Sequence, residues 1–442
     1  MADGIVLERQ GIQTASIVTD AFTRSGNAMA KTMGAEGYRY AMVPHPVSNL
    51  DAQQCLERAR AVLPDVLTIL GVGDGNGAAP TQTVPSPAAT SSDGQAAPAV
   101  DVTAEQVRDA RGLAEHYFAH GWTDGLPVVP TTLDTVEAFV AYAGRDPREQ
   151  ILQVPHLGTA CTVELAAAAA AMAGCQKEHF PVLLAVLDSF QPSVDTVLLQ
   201  STSGQAVMVT VNGPIRRELG FNATTNVFGP GYRANATVGR AVRLVVMNAL
   251  GIRPGEFDQG TQGTPGKYAL CIAENEEESP WEPLHVERGF DANASVTTAH
   301  FARGDFPVDN RAGTRPEEIL ANIANTMSCS TASRGYAVVM GPEHAHLIAR
   351  HGWSKQDAKR FLWEHWGRTR SLMRRFGLVH DGVTGDPLAG PASADAEEEF
   401  LHAGESPDAI LLIVAGARNA GMTTVLPMIR PMFHSKEIGA GG

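Results

Sequence analysis

The stretch MADGIVLERQGIQTASIVTDAF, residues 1–22, indicates the fold class of this chain. Its opening is typical of the end of a helix, and residues 12–18 then form a mostly apolar, β-branched run that ends at Thr19 and Asp20. Such a run is typical of a buried strand in a parallel sheet whose two faces are covered by helices. Because a buried parallel strand needs neighbouring strands, the stretch predicts an α/β domain.

The residues that follow continue the alternation of helices and strands. The pattern predicts a helix over 21–33, a strand over 38–43 and a helix over 51–70. Two β-α units favour a parallel sheet, but two strands and two helices are few for an independent domain. We therefore expect residues 1–72 to be the carboxy-terminal half of an α/β domain, a partial parallel sheet.

Composition then divides the chain. Residues 73–101 are rich in Pro, Ala, Gly and Ser and contain no aromatic residue, Lys or Arg, which predicts a disordered linker. Residues 102–442 predict a larger mixed α/β domain with an active-site cleft and no repeat of 20–50 residues. The elements expected there are helices over 103–120, 163–173, 180–190 and 237–250, strands over 207–211, 268–273 and 336–340, helices starting at Pro316 and at Ser354, and a final strand over 409–414.

Charge and hydropathy restrict the partners. The chain has 442 residues and a net charge of −14, which argues against nucleic acid and against an anionic membrane surface as partners. No apolar run approaches the roughly 20 residues that cross a bilayer, and the chain does not begin with a signal segment. We expect a cytoplasmic protein whose partners are small molecules or proteins.

The cysteines and histidines form no recognisable metal site. The five cysteines lack a CxxC pair and are expected to be reduced. Glu343–His346 has the residue types of a metal site, but residues two apart on a helix point in different directions. The sequence therefore predicts no metal.

The segment NVFGPGYRANATVGRA, residues 226–241, favours an anion-binding pocket. A Gly-Pro-Gly turn brings the backbone close to a ligand, and a helix capped by Asn235 or Thr237 presents free N–H groups. The alternative is a simple turn beside a solvated arginine. The candidate substrate-binding residues in this segment are Gly229, Gly231, Arg233, Asn235 and Arg240.

The segment TPGKYALCIAENEEESPW, residues 264–281, places basic and acidic groups at opposite ends of one predicted strand. Lys267 and the acids lie about 20 Å apart at about 3.3 Å per residue, so Lys267 is a separate substrate-binding candidate. Carboxyl ends of strands in open α/β sheets hold ligand loops, so Glu274 or Glu276 is a candidate for proton transfer. The alternative is that the acids are solvated surface.

Cys161 is the candidate nucleophile among the cysteines. It comes just before a predicted helix, whose amino-terminal dipole would lower the pKa of a thiol. Cys175 lies at the other end of that helix, where the dipole has the opposite effect. The alternative is that Cys161 is a small buried side chain.

Several of these motifs resemble a known family. LERQGIQTASIVTDAF (7–22) and YAMVPHPVSNLD (40–51) resemble the closing half of the UGSC-motif (seleno)protein domain, a redox-associated α/β family described as thioredoxin-like. The main body, including VNGPIRRELGFN (211–222) and GPEHAHLIARHGWSKQDAKRFLWEH (341–365), is similar to the larger protein that is partnered with that domain. The resemblance implies a fusion of the two.

The resemblance implies reductive or lyase-type chemistry by a selenolate or thiolate on a small carboxylated substrate. The UGSC motif would precede Met1, either behind a UGA codon that is read as a stop or on a separate polypeptide. In this scheme Arg233 and Asn235 orient the substrate's anionic group and Asn212 donates a hydrogen bond to it. Glu274 or Glu276 transfers a proton, and Asp20 and His45 line the pocket from the first domain.

Three functions follow as hypotheses. The first is an enzyme, or enzyme subunit, with selenol or thiol chemistry, and the second is a non-redox lyase, hydratase or hydrolase that uses Glu276 and Arg233. The third is a non-catalytic scaffold for a partner that carries the UGSC motif. We expect a small anionic substrate, a protein partner that supplies the missing half, and a homo-oligomer. The residues identify no cofactor, electron donor or individual substrate.

Overall fold

The computed structural model describes residues 1–45, 47, 50–72, 104–330, 333–378 and 394–439. The predicted linker, residues 73–101, lies outside these residues, so its disorder stays a prediction. The chain divides into two compact units: Met1–Thr103 with Arg311–Thr314 and Arg418–Gly421, and the remainder from Ala104 onward. Among the described residues no single helix is long and apolar enough to cross a membrane. One bent pair of helices, Lys177–Ser189 and Pro192–Leu199, has the length and composition of a membrane span when the two are taken together.

The first unit contains a parallel strand pair, in which Ile17 pairs with Ala41, but the two strands have three residues each and are shorter than the strands predicted over 12–18 and 38–43. The strands are less buried than predicted, since Ile17 is 54% exposed and Met42 is 53% exposed. Ala41 is buried against Val62, so only one face of the pair is covered. The elements are α1 (Ala2–Arg9), β1 (Ile17–Thr19), α2 (Thr23–Thr32), β2 (Ala41–Val43) and α3 (Ala52–Ile69).

The second unit is a larger mixed α/β structure, which confirms the predicted fold class. Its helices are α4 (Ala104–Ala119), α5 (Leu133–Ala143), α6 (Val163–Ala173), α7 (Phe180–Ser189), α8 (Pro192–Leu199), α9 (Ile215–Glu218), α10 (Arg233–Leu244), α11 (Leu284–Glu287), α12 (Pro316–Met327), α13 (Pro342–Arg350), α14 (Lys355–His365), α15 (Arg370–Arg375) and α16 (Ala394–Glu397). Its strands are β3 (Gln150–Val154), β4 (Thr159–Thr162), β5 (Ala206–Asn212), β6 (Cys271–Ala273), β7 (Val296–Ala302), β8 (Phe306–Asp309), β9 (Gly335–Met340), β10 (Gly367–Thr369), β11 (Phe400–His402), β12 (Ile410–Val414), β13 (Met422–Met428) and β14 (His434–Glu437).

Two four-stranded sheets form the centre of this unit. Sheet 1 has the order β14-β7-β5-β6, and sheet 2 has the order β12-β9-β13-β8. Their inner faces share one apolar cluster, which includes Met208 and Ile272 of sheet 1 and Val339 and Ile413 of sheet 2. The outer face of sheet 1 packs with α6, α7 and α10, and that of sheet 2 packs with α12, α13 and α14. The result is four layers, helices outside and two sheets inside.

The two sheets repeat the same pairing scheme. β5 lies between a parallel neighbour, β6, and an antiparallel neighbour, β7, and β9 lies in the same way between β12 and β13. The registers also correspond, because Val211 pairs with Ala273 and Thr297, and Met340 pairs with Val414 and Thr423. A Gly-Pro pair follows both β5 and β9. We call β5–β8 repeat 1 and β9–β14 repeat 2, and positions matched by this register are called equivalent.

Each repeat gives its last strand to the other sheet. β8 belongs to repeat 1 but pairs with β13, and β14 belongs to repeat 2 but pairs with β7. Both pairings are antiparallel and occupy the same edge of the equivalent strand. Each sheet is therefore complete only when both repeats are folded.

Three predicted elements differ from those observed. The helix predicted over 237–250 begins at Arg233 and ends in a π-helical turn, Val245–Ala249. The strand predicted over 268–273 is Cys271–Ala273, because residues 265–267 form a 3₁₀ turn. The strand predicted as the last one, now β12, is followed by β13 and β14.

Candidate functional site

Three of the predicted site residues meet at one edge of sheet 1. Asn212 is the last residue of β5, and Glu274 directly follows β6. Because β5 and β6 are parallel neighbours, their carboxyl ends lie side by side, where open α/β sheets place ligands. Glu276 follows two residues later and contacts the same asparagine. The three predicted residues are therefore in contact, while their roles stay predictions.

The Asn212 amide joins the two carboxyl groups. Its Nδ2 donates one hydrogen bond to Glu274 Oε2 at 2.5 Å and a second to Glu276 Oε1 at 2.9 Å. The side chain is fully buried, so these bonds are shielded from water. One amide thus fixes the distance between two acids that would otherwise repel each other.

Glu276 is held by further charged and backbone donors. The backbone N–H of Gly213 donates to its Oε1 at 2.8 Å, and Arg216 Nη2 donates to its Oε2 at 2.6 Å. The Arg216 side chain is 4% exposed and also donates to the carbonyl of Glu274 and to Glu277. These contacts hold Glu276 in place and connect it through Arg216 to Glu277 and the backbone of Glu274.

Glu274 lies in a different environment, although it is only two residues away. Its side chain is fully buried, and its Oε2 also accepts a hydrogen bond from the backbone N–H of Leu284 at 2.7 Å. Burial raises the pKa of Glu274, while the nearby Lys355 and the hydrogen bonds from Leu284 and Asn212 act in the opposite direction. We infer that Glu274 retains its proton to higher pH than an ordinary glutamate.

The charged groups around the site form one ion-pair network. Lys355 Nζ lies 2.8 Å from one oxygen of Glu287, and Lys359 Nζ lies 2.8 Å from the other. Glu274 is the most deeply buried of the carboxyl groups, and an ionised carboxyl is costly to bury, so Glu274 is the one expected to hold a proton. The network consists of Glu274, Glu276, Glu277, Glu287, Arg216, Arg217, Lys355 and Lys359.

Three buried polar atoms at this site have no hydrogen-bond partner among the described residues. They are Asn212 Oδ1, Glu274 Oε1 and His285 Nδ1. His285 Nε2 lies 3.3 Å from the carbonyl of Ala292, to which it donates a hydrogen bond. Nδ1 lies 3.9 Å from Glu276 Oε1. Buried unpaired polar atoms are rare, and such a concentration is typical of a site that binds water or a small ligand.

The equivalent positions in repeat 2 carry no polar side chain. When Val211 is matched with Met340, Gly341 is equivalent to Asn212 and Ala415 is equivalent to Glu274. Ala415 N donates to the carbonyl of Met340, just as Glu274 N donates to that of Val211. The fold therefore does not require a carboxyl group or an amide here, and their presence in repeat 1 needs another reason.

The predicted anion pocket around the Gly-Pro-Gly turn is different in the structure. Arg240 makes two bonds of 2.8 Å to Asp124, a residue 116 positions away. Asn235 does not cap the helix, because the cap position is Tyr232 and no side chain bonds there. The buried Asn235 amide instead bonds backbone atoms of Asn222 and Cys271.

The remaining residues of that turn have local roles. Arg233 Nε donates to the carbonyl of Gly174 at 2.9 Å. Gly231 has a φ of +119°, which favours glycine, and a Cβ at Gly229 would overlap the Asn226 side chain. The glycines are thus explained by the turn itself, and substrate binding by this segment stays a prediction.

Lys267 belongs to a separate ion-pair cluster. Its Nζ lies 2.7 Å from both oxygens of Asp258, and Arg243 lies 3.1 Å from the same carboxylate. These three side chains line a cavity of about 470 Å³. Lys267 therefore neutralises an internal acid and does not contact Glu274 or Asn212 in the structure.

Cys161 lacks the property for which it was chosen. It lies in β4, the helix cap is Thr162, and burial raises the pKa of the Cys161 thiol to about 12. The expected lowering of its pKa is wrong, because burial opposes thiolate formation more than the helix favours it. Burial likewise raises the pKa of Cys175 to about 12 and raises that of Cys271.

Asp20 and His45 lie in the first unit and contact each other. The backbone N–H of His45 donates to Asp20 Oδ1 at 2.8 Å, and the ring Nδ1 of His45 lies 3.2 Å from Thr19 Oγ1. This explains how the two predicted strand ends are joined within that unit. Their role in lining a pocket stays a prediction.

The sequence analysis missed Arg216, His285, Lys355 and Glu287. These residues come from α9, α11 and α14, and no short motif connects them. The only available signal was the VNGPIRRE segment, in which Arg216 follows the end of β5 by four residues. No group of three or more His, Cys, Asp or Glu side chains suited to a metal ion occurs within the described ranges.

The fold and the site define an α/β protein with a buried network of carboxyl, amide and imidazole groups. Comparison with known proteins adds one match: residues 1–72 match the model of the UGSC family. This match supports the resemblance for the amino-terminal segment and ends before every residue of the buried network. No curated protein and no solved structure matches the chain.

Proposed function

We propose that the second unit is a non-redox acid–base enzyme, a lyase, hydratase or hydrolase, that acts on a small carboxylated substrate at Glu274. The supporting observation is the group of three unpartnered buried atoms, Asn212 Oδ1, Glu274 Oε1 and His285 Nδ1, counted over the described residues, beside a carboxyl whose pKa is raised by burial. Proton donors and acceptors with displaced pKa values are typical of catalytic sites. Repeat 2 has Gly341 and Ala415 at the positions equivalent to Asn212 and Glu274, so the fold itself does not require these polar side chains.

The groups at the site suggest distinct roles. Protonated Glu274 is the general acid and gives the proton of its carboxyl to the leaving oxygen of the substrate. His285 donates from Nε2 to the carbonyl of Ala292, and its Nδ1 receives the proton that the substrate loses. Asn212 is a positioning residue, because it holds both Glu274 and Glu276. Lys355 supplies positive charge next to Glu274.

Proton transfer can be tested without knowing the substrate in advance. The full chain is incubated in D₂O with a panel of small hydroxy- and unsaturated carboxylic acids, and ¹H NMR detects deuterium incorporation or addition and loss of water. We expect turnover of at least one acid and a 10²- to 10⁴-fold lower rate in Glu274→Gln, the range that a general acid contributes.

Glu282→Gln is the matched control, because Glu282 is an exposed glutamate close in sequence. It should leave the rate unchanged. Turnover that is undiminished in Glu274→Gln, or no reaction and no binding of any acid by the wild type, would contradict the proposed function.

A second candidate rests on the family match of residues 1–72. We propose as the alternative that a separate polypeptide with a UGSC motif supplies a thiol or selenol, and that this chain holds the substrate or acts as its scaffold. The buried, high-pKa thiols of Cys161 and Cys175 agree with an external nucleophile. Copurification of such a polypeptide, with activity dependent on it, would favour this candidate over the first.

A further inference from the structure

Sheet 1 carries polar side chains on its inner face where sheet 2 is apolar. Thr210 of β5 and His300 of β7 are fully buried between the sheets. The equivalent residues of repeat 2 are Val339 and Leu426. Since valine and leucine fill these positions in one repeat, the layered fold does not need a hydroxyl or an imidazole in the other.

These polar groups also lack partners. Thr210 Oγ1 and both ring nitrogens of His300 have no hydrogen bond within the part of the chain that the structure describes. Burial lowers the pKa of His300 to about 3, so the ring is neutral, with one N–H donor and one acceptor nitrogen. Leaving such groups buried and unpaired is destabilising, so their presence needs a partner that the protein atoms do not supply.

The strand register places the residues with unpaired atoms in a row on the inner face of sheet 1, and we call this row, which leads to Glu274, the file. Thr210 precedes Asn212 by two residues on the same face of β5, so their Cα atoms are about 6.6 Å apart. His300 is the diagonal neighbour of Thr210 across the β5/β7 pair, a separation of about 7 to 8 Å between residues. Two hydrogen bonds through one water molecule span about 5.6 Å, a length comparable with these residue spacings.

The file reaches the outer edge of the sheet through a hydroxyl ladder. Thr298 lies directly opposite Thr210, and its Oγ1 is 2.8 Å from Ser435 Oγ of β14. The exposed Arg288 donates from Nε to the same Ser435 oxygen at 2.6 Å. Ser435 is partly exposed, so this end of the file meets solvent.

We propose that ordered water molecules fill the gaps between Glu274, Asn212, Thr210, His300 and the Thr298–Ser435 pair and form a proton path from Glu274 to solvent. A buried water needs two to four polar partners, which the unpaired atoms along this face supply. The proton enters from bulk water beside Ser435, passes along hydrogen bonds and ends on the Glu274 carboxylate, with no other bond changed. This inference rests on the proposed function, in which Glu274 must regain its proton after each turnover.

The water file is tested first by NMR on the full chain. Water-to-protein Overhauser effects in the wild type should reach Thr210 and the His300 ring with the sign of long-lived water. Thr210→Val and His300→Leu should each remove these contacts, and both variants should fold because repeat 2 carries those residues. Thr196→Val is the control, since the buried Thr196 hydroxyl already donates to the carbonyl of Pro192. A wild type without water contacts at both residues would overturn the inference.

The path is tested second by infrared spectroscopy of the carboxyl stretch that disappears in Glu274→Gln. After transfer to D₂O this band should shift at least tenfold more slowly in Thr210→Val and His300→Leu than in wild type and Thr196→Val. Equal rates would overturn the path while the proposed function still holds. Absence of the band in wild type would show an ionised Glu274 and would overturn both.

Discussion

Asn212 shows how one buried amide creates two different acids. It donates to both Glu274 and Glu276, but only Glu276 also receives a charged donor, Arg216. Glu276 is therefore paired with a cation, whereas Glu274 gains one backbone donor in complete burial. Two carboxyl groups with unlike environments provide the division of roles that acid–base catalysis needs.

The raised pKa of Glu274 predicts a specific pH dependence of stability. The folded protein keeps a proton that the unfolded chain releases above the ordinary glutamate value. The stability contributed by this residue is therefore present below that value and is lost as pH rises through the raised pKa. The glutamine in Glu274→Gln cannot ionise. The free energy of unfolding of this variant, relative to that of the wild type, should therefore increase as pH rises through this window. Urea unfolding at a series of pH values measures the difference, and parallel curves for the two proteins would refute it.

The cysteines divide into two exposed and three buried thiols. Cys55 and Cys329 are exposed, whereas Cys161, Cys175 and Cys271 are buried with raised pKa values. We expect iodoacetamide to label only the first two in the native protein and all five after unfolding. Mass spectrometry of tryptic peptides reports the sites, and rapid native labelling of Cys161 would restore it as a candidate nucleophile.

The residues that sequence reasoning identified follow a local rule, and those it missed do not. Asn212 and Glu274 were found because strand ends in parallel sheets are adjacent. The ion pair of Arg240 could not be predicted, because its partner, Asp124, is 116 residues away and no local pattern connects them. Long-range ion pairs of this kind become visible only when the fold is known.

At the scale of elements, strong local signals were predicted well. Helix α6 has the predicted bounds. Helix α14 has the expected Ser354 cap, in which Ser354 Oγ accepts a hydrogen bond from the backbone N–H of Asp357 at 3.1 Å and the Asp357 carboxylate accepts one from the backbone N–H of Ser354. Strand β13 was missed because it contains Pro427, and proline argues against a central strand. β8 pairs only with Met422–Val425, so Pro427 lies beyond its end and no ladder bond is lost there.

The Ser354 cap is expected to stabilise the helix that begins with Lys355. Ser354→Ala removes a side-chain acceptor at the helix start and should lower the free energy of unfolding by about 1 kcal/mol. Ser193→Ala, an exposed serine in the first turn of α8, should change it by less than about 0.5 kcal/mol. Chemical denaturation of both variants provides the measurement, and equal effects would show that the cap contributes nothing.

At the scale of the whole molecule, the duplication was invisible to the search for short repeats. The two repeats agree in strand pairing and register, but few residues agree beyond the Gly-Pro pairs and the threonine pairs Thr297-Thr298 and Thr423-Thr424. The α/β fold class could be predicted from the composition and from the alternation of helix and strand patterns along the chain, because any packed α/β structure needs those patterns. The exchange of β8 and β14 depends on long-range pairing, which those patterns do not encode.

Strand exchange predicts that the two repeats fold together. Separate expression of residues 1–312 and 313–442 should give fragments without cooperative unfolding, because each sheet would lack its fourth strand. Coexpression should restore a complex with the circular dichroism spectrum of the intact chain. A fragment that unfolds cooperatively on its own as a monomer would contradict the observed pairing.

The most direct test of the account is the pKa of the Glu274 carboxyl in the folded protein. Selective ¹³C labelling of glutamate carboxyl carbons, with Glu274→Gln to assign the resonance, follows its titration by NMR. We predict that Glu274 titrates above the range of ordinary glutamates, because burial disfavours its ionised form. Titration of Glu274 at or below the ordinary range would contradict the central claim, because the site would then lack its general acid.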